Sequence, residues 1–428
     1  MRRRSSFAAG LFLVFVPTFV ESAVTSSVVD VPTRPGVSER ILRFTPEVPA
    51  AHVVLLIGDT GFVGIQPDGT LSMPGLNGMS NRFGSLWGSQ GIAFAVMDVP
   101  SDRAALDLSF RKSPEHVADI LAVAQYLRQR APVPVWLVGL SHGNTSVVQV
   151  ATSAALNVPL GLVLGNPRTL GISSLYQQDL VSIHQPTLVI NAVGDMCATL
   201  PELVAGLVPE LVNAPAKEHV GIVVGPQTAG DPCDDIGPHG LEGLDTILVG
   251  VIGSWVSQYN SLLGGVASPV ALAVEFHHAN FDHYFISSSL ADIVALATGR
   301  LTGWTPTLEE LPVVSAHKAD TYPVCRFYTP PAFGDSHFYS ASVAECMDTA
   351  RKLPQLELES SNVFEIGLPD PQTGACPVGM APVYRIWNNR ADSNHRYTRS
   401  PAIRDDMVAR GGIVEGYGTP PVAMCSPV

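Results

Sequence analysis

A chain of 428 residues, 46 % hydrophobic and only 15 % charged, has ample apolar material for a large core, and two domains are the prior expectation. Its formal net charge of −13 argues against nucleic acid and anionic lipid surfaces as partners. The 35 prolines lie among aliphatic and aromatic residues throughout, which indicates a loop-rich globular chain and not disorder.

The N-terminus carries a basic run, Arg2-Arg3-Arg4, and then an apolar run from Phe7 to Val20. This pattern reads as a secretory signal peptide over residues 1–22, cleaved after about Ser22 or Ala23. The apolar run is short for a membrane span, and no transmembrane segment is expected in the mature chain. Export and an even number of cysteines together imply disulfides in a secreted or periplasmic protein.

Beyond this segment, strand and helix signals alternate. Val53 to Ile57 is a buried-strand run that ends in the turn Gly58-Asp59-Thr60-Gly61. Gly91 to Met97 is a second such run. Ser113-Pro114-Glu115 opens a helix, with serine as cap and proline in the first turn. Its residues Val117, Ile120, Leu121, Ala124 and Leu127 follow helical spacing and belong to the core. Val133 to Val138 is a strand, and Asn144 to Leu156 is compatible with a helix. Between them stands Gly139-Leu140-Ser141-His142-Gly143, a G-x-S-x-G pattern. Strand, tight turn and helix is the context that holds a serine hydroxyl exposed above a parallel sheet. Strands at Leu160–Leu164, Pro186–Asn191 and His219–Val224 follow, and a helix from about Leu244 to Tyr259 closes the series.

A serine hydroxyl is a weak nucleophile at neutral pH and needs a base, which needs an orienting acid. Asp195 lies on the turn after the strand that ends at Asn191, where such an acid belongs. His239 lies in the loop after the last strand, where the base belongs. His184 and His219 compete for the base role, and Asp231, Asp234 and Asp235 for the acid. Asp195 after Gly194 is also an ordinary turn former.

Four pieces, Val53 to Asp59, Gly139 to Gly143, Val193-Gly194-Asp195 and Pro238-His239-Gly240, resemble the α/β-hydrolase superfamily over about residues 38–262. The resemblance implies an α/β fold with a mostly parallel sheet, helices on both faces, and a serine hydrolase triad of Ser141, Asp195 and His239. It implies no cofactor and no metal. Ile57-Gly58 stands where the family commonly has His-Gly. By position, the oxyanion donors are the backbone N–H groups of Asp59 and His142, or Thr60 if the register slips. Asp59 has a second reading as a plain turn residue.

Cys197 lies two residues after Asp195, and Cys233 six residues before His239. If both loops meet above the sheet, a bridge between them would staple acid to base. Cys325 with Cys346 and Cys376 with Cys425 is one of three pairings open to the other four cysteines. The interval from Gly165 to Pro186 leaves no room for a large helical cap. That makes Gly61 to Asn81 the expected pocket wall, with Phe62, Leu71, Met73, Leu76 and Met79. An uncapped site favours bulky or polymeric esters.

Residues 263–272, with Gly264-Gly265 and Ser268-Pro269, read as a linker. A threefold repeat follows over 273–428. Its copies carry Asp282-His283-Tyr284-Phe285, Ser336-His337-Phe338-Tyr339 and Asn394-His395-Arg396-Tyr397, each preceded by a strand and followed by a short helix. Such repeats form a compact α+β unit of pseudo-threefold symmetry whose copies complete one another's core. The segment resembles an uncharacterised repeat domain of secreted bacterial hydrolases and adhesin-like proteins, which implies binding or surface attachment. The flanking aromatics could stack on a carbohydrate or surface ligand, or form the repeat core.

The sequence as a whole reads as a secreted serine hydrolase acting on carboxylic esters, small or polymeric. Two other readings stand beside it: a non-catalytic adhesion protein built on the same scaffold, and an acyltransferase.

Overall fold

The computed structural model describes residues 24–72, 83–197, 199–223, 231–233, 237–241, 243–315 and 317–428. The signal-peptide segment 1–22, the pocket-wall residues Met73, Leu76 and Met79, and the rival acids Asp234 and Asp235 lie outside them.

Eight strands form one sheet. In chain order they are β1 (Thr25–Arg34), β2 (Val37–Thr45), β3 (Ala51–Leu56), β4 (Ile92–Pro100), β5 (Val135–Leu140), β6 (Leu160–Gly165), β7 (Thr187–Ala192) and β8 (Lys217–Ile222). Across the sheet the order is β1-β2-β4-β3-β5-β6-β7-β8. The strands from β3 to β8 run parallel, and the β1–β2 hairpin adds antiparallel to β4. The sheet therefore begins at Thr25, ahead of residue 38.

Parallel strands covered on both faces read as unbroken apolar runs, and their alternate residues serve opposite faces. Val53, Leu55, Trp136, Val138 and Val163 join one apolar cluster, while Val54, Leu56, Leu137, Leu162 and Leu164 join the other. The second cluster is covered by α1 (Pro114–Arg130), α2 (Gly143–Ala151) and α3 (Pro201–Glu210). The first is covered by α4 (Asp245–Tyr259). Ser113 caps α1 by accepting from the His116 amide, as its position before Pro114 predicts. Leu71 is buried in the core and pairs with Ile65, so it does not line a pocket, whereas Phe62 is exposed.

The first cluster does not stop at the sheet. It continues through Ile247, Val251 and Trp255 of α4 into Leu272, Val274 and Phe276 of the strand Val270–His278. Gly250 is required at this crossing, because a Cβ there would lie 2.5 Å from the Val274 side chain. That strand begins at Val270, inside the stretch read as linker, and the side chain of Ser268 is buried.

The C-terminal part is built from antiparallel sheets separate from the first. Three hairpins recur: Val270–His278 with His283–Ser287, Cys325–Thr329 with Ser336–Ser340, and Met380–Trp387 with His395–Thr398. A short helix follows each, capped by Ser289, Ser342 or Ser400. The second strands of the three hairpins meet at the centre. There Tyr397 donates through its hydroxyl to the Tyr339 carbonyl at 2.9 Å, and Tyr339 donates to the Ile286 carbonyl at 2.8 Å.

Ion pairs link the copies in a ring. Arg326 of the second copy pairs with Asp292 in the helix of the first, and Arg385 of the third pairs with Glu345 in the helix of the second. The third helix has Ile403 at the corresponding position, and the first strand has Glu275 where the others have arginine. The ring closes instead by Glu275 of the first copy accepting two hydrogen bonds from Arg396 of the third, at 2.9 and 2.8 Å. The sign is reversed, so two departures from the repeat compensate each other. Arg396→Ala would leave the buried Glu275 carboxylate without its cation and is expected to destabilise by about 3–5 kcal/mol. Adding Glu275→Gln should recover part of that loss in urea unfolding.

Candidate active site

Ser141 stands on the turn between β5 and α2 with φ of 51°, a left-handed conformation that is uncommon for a residue with a Cβ. The close packing around it explains the glycines. A Cβ on Gly143 would lie 2.1 Å from the Leu56 carbonyl oxygen. A Cβ on Gly58 would lie 2.6 Å from the Ser141 Cβ. The loop after β3 is therefore pressed against the serine. The Ser141 amide donates to the Gly165 carbonyl at 3.1 Å, and the side chain of Asn144 donates to the carbonyls of both Ser141 and Gly165.

Asp195 and His239 come together. His239 Nδ1 lies 2.9 Å from Asp195 Oδ2, with His239 8 % and Asp195 1 % exposed. The other carboxylate oxygen accepts from the Cys197 amide at 2.8 Å. Cys197 is bonded to Cys233, and the other disulfides are Cys325–Cys346 and Cys376–Cys425. The rival His219 sits on β8 and hydrogen-bonds the Asn191 side chain at 2.7 Å, away from Asp195.

Sequence reasoning missed two residues here. Asn166, just after β6, has φ of 39°. Its Oδ1 accepts from the Ala192 amide at 2.8 Å, and its Nδ2 donates to the carbonyls of Pro238 and His239 at 2.9 and 2.7 Å. One side chain thus ties the strand end that precedes Asp195 to the backbone of His239. The other residue is Arg111, which is buried. Its Nη2 donates to the carbonyls of Ile57, Gly58 and Asp59, each at 3.1 Å, and its Nη1 donates to Ser146 Oγ at 3.1 Å. Asp59 itself has φ of 40°. With its carbonyls turned back to the guanidinium, this loop directs its amides the other way. Among the described residues, no group accepts a hydrogen bond from the amides of Asp59 or His142. The only sequence signal for Asn166 was Gly165-Asn166 at a strand end. Arg111 gave none.

Burial and nearby charges keep the imidazole next to the serine neutral. Burial, and then the charges of Arg168 and Arg111, push the imidazole of His142 down to about 4. The loops at the C-terminal ends of the strands expose apolar side chains: Phe62 after β3, Leu170 and Ile172 after β6, Met196 and Leu200 after β7. Between β6 and β7 there is one short helical turn, Leu175–Gln177.

The histidines of the repeat do not converge. His283, His337 and His395 each face a different carboxylate, Asp392, Glu359 and Glu415, at 3.2–3.3 Å. The flanking rings pack between copies, Phe285 edge-on to His337 and Phe338 edge-on to His395.

A parallel sheet in this strand order, helices on both faces and a serine on the turn after β5 make the first part an α/β-hydrolase fold. Residues 275–419 match a family described as "Domain of unknown function (DUF5648)". No curated protein matches the chain. Among solved structures, a cold-adapted esterase from an Arctic intertidal metagenomic library is similar at 18 % identity, over 51 % of this chain and 92 % of that one, with a TM-score of 0.33. A Xanthomonas campestris α/β serine hydrolase described as lacking a lid is similar at 17 % identity, over 57 % and 98 %, with a TM-score of 0.37. A Pyrococcus furiosus esterase is similar at 13 % identity, over 55 % and 94 %, with a TM-score of 0.40.

Replacing Cys197 and Cys233 together by serine should lower stability by about 2–4 kcal/mol, measured by guanidinium unfolding, because it frees a 36-residue separation in the unfolded chain. It should also raise hydrogen exchange at the His239 loop more than at β5.

Proposed function

We propose that the protein is an exported serine hydrolase that cleaves carboxylic esters through Ser141, His239 and Asp195. The observation that carries this reading is the buried Asp195–His239 hydrogen bond at the sheet edge where Ser141 is held in a left-handed turn. In this mechanism His239 accepts the Ser141 proton as Oγ attacks the acyl carbon. The protonated imidazole then gives that proton to the leaving alcohol as the acyl-enzyme forms. Water, activated by the same histidine, releases the acid. Asp195 holds the imidazole in the tautomer that leaves Nε2 free to act. The amides of Asp59 and His142 receive the developing oxyanion. A neutral His142 next to the nucleophile leaves the backbone to do this work.

Three disulfides fit an extracellular or periplasmic protein, and no helix of the described residues is long and apolar enough to cross a membrane. The substrate class we favour is a bulky or polymeric ester. What supports it is a β6–β7 connection with only one helical turn, and the exposed Phe62, Leu170, Ile172, Met196 and Leu200 on the loops after the strand ends. A broad apolar rim suits an extended apolar substrate better than a small, soluble one.

A fluorophosphonate probe should label the protein, and p-nitrophenyl esters should be turned over. Both should vanish in Ser141→Ala, with kcat/KM falling at least about 10³-fold. A folded, disulfide-intact protein that neither labels nor hydrolyses any ester would leave the scaffold as a binding protein. Arg111→Lys should lower kcat about 10- to 100-fold with little change in KM, because one ammonium cannot bond three carbonyls and Ser146 together. Equal changes in kcat and KM would argue against that positioning role.

A further inference from the structure

Outside the candidate active site, one buried cluster has no explanation in the fold. Glu39 of β2 and His116 and Asp119 of α1 are 0 %, 2 % and 0 % exposed. One ligand atom from each lies within 4.8 Å of the others. Among the described residues, four of their polar atoms have no hydrogen-bond partner: both carboxylate oxygens of Glu39, Oδ2 of Asp119 and Nδ1 of His116. Buried polar groups are almost always satisfied, and a buried carboxylate without a partner is costly. Four orphaned atoms facing one another are therefore a strong departure.

The remaining atoms of these side chains are held in place. Asp119 Oδ1 accepts from Arg34 Nε at 2.8 Å, and the Arg34 guanidinium also bonds Asp102. His116 Nε2 lies 2.9 Å from Ser146 Oγ. The tautomer that gives the Nε2 proton to Ser146 leaves a lone pair on Nδ1, directed at the two carboxylates. Such outer contacts are what orient metal-binding side chains. Around Glu39 stand Asp119, Asp98 and Asp102 with the guanidinium of Arg34, while His116 faces the guanidinium groups of Arg111, Arg34 and Arg103. Asp98 accepts from the amides of Val63, Ile65 and Val99, with the Arg40 guanidinium near it.

We propose that Glu39, His116 and Asp119 form a structural site for a divalent cation of the zinc class. Each residue offers one ligand atom, so one imidazole nitrogen and two carboxylate oxygens make three protein ligands, and a water would take the fourth place of zinc's tetrahedral shell. A nitrogen in the set disfavours calcium and magnesium, which take oxygen ligands. The ion would join the β1–β2 hairpin to α1. It would also stand at the far end of a chain of contacts, His116 to Ser146 to Arg111, that reaches the carbonyls of Ile57, Gly58 and Asp59. The proposal does not depend on Ser141 being a nucleophile.

The test is the metal content of the full chain, purified without chelator, together with its melting temperature. The expected result is about one equivalent of zinc per chain. Removing it with a strong chelator should lower Tm by roughly 5–10 °C, and added zinc should restore the loss. Calcium and magnesium should restore less, and a larger recovery with either would overturn the assignment of metal class. Glu39→Gln keeps the shape of a protonated carboxyl and should abolish both metal content and the zinc-dependent rise. Wild-type protein that contains no metal and melts at the same temperature with chelator or with zinc would overturn the site, whatever the variant does. In that case Glu39→Gln, with unchanged Tm, would assign the cluster to a shared proton.

Discussion

The candidate site depends on how the parallel sheet ends. Strands β5, β6 and β7 stop at one edge, in the protein interior, with backbone groups that need partners. Two asparagine side chains supply them. Asn144 bonds the carbonyls of Ser141 and Gly165, and Asn166 bonds the Ala192 amide and the carbonyls of Pro238 and His239. The loops bearing serine, acid and histidine are thus fixed to the strand ends and not only to one another. Asn166 adopts φ of 39°, which asparagine tolerates better than most residues. The Cys197–Cys233 bond then closes the same pair of loops from the other side. Preorganisation of the Asp195–His239 pair comes from these restraints, since two loops alone would place an imidazole loosely.

Much of this was legible in the sequence. The apolar runs that became β3 to β7 are nearly continuous because both faces are covered, and continuity survives without knowledge of tertiary contacts. The strand-end positions of Ser141, Asp195 and His239 were legible because each follows a strand in a fixed order, and the structure brings Asp195 and His239 into contact. The Cys197–Cys233 pairing followed from that order, whereas the other four cysteines were left with three possible pairings. The β1–β2 hairpin was not legible, since Thr25–Arg34 is mostly polar and carries Pro32, so its periodicity is weak. Arg111 was invisible for a different reason. A charged residue in a short helical turn, Leu108–Arg111, reads as surface, and only the fold buries it against three carbonyls of a distant loop. Leu71 failed in the opposite sense, because a loop leucine near the site was read as pocket wall when its bridge to Ile65 takes it into the core.

The repeat illustrates how sequence symmetry and physical closure differ. Three copies with identical ion pairs would close a ring by symmetry alone. Here the first strand has lost its arginine and the third helix its acid, each of which would leave a buried charge unpaired in its neighbour. Glu275 and Arg396 restore neutrality across the same boundary. The third position at the centre shows a related break, with Ile286 lending a carbonyl where its counterparts Tyr339 and Tyr397 bring hydroxyls. The copies are therefore not interchangeable, and the order of the chain is written into the pairing.

That order also makes the C-terminal part more than an appendage. If it were tethered by a free linker, α4 would present Ile247, Val251 and Trp255 to water. The Val270–His278 strand would likewise expose Leu272 and Val274. In the folded chain these residues share one apolar cluster with the sheet. The coupling reaches the end of β8 too. The amide of Val223, just after β8, donates to the Ala297 carbonyl at the end of the first repeat's helix at 2.8 Å. A Cβ on Gly299 would touch the Val223 side chain at 3.3 Å. The strand end from which the histidine loop departs is thus held by the repeat, and the two parts act as one packed unit. Whatever the repeat contacts outside the molecule is linked by rigid packing to the same edge of the sheet that holds Asp195 and His239.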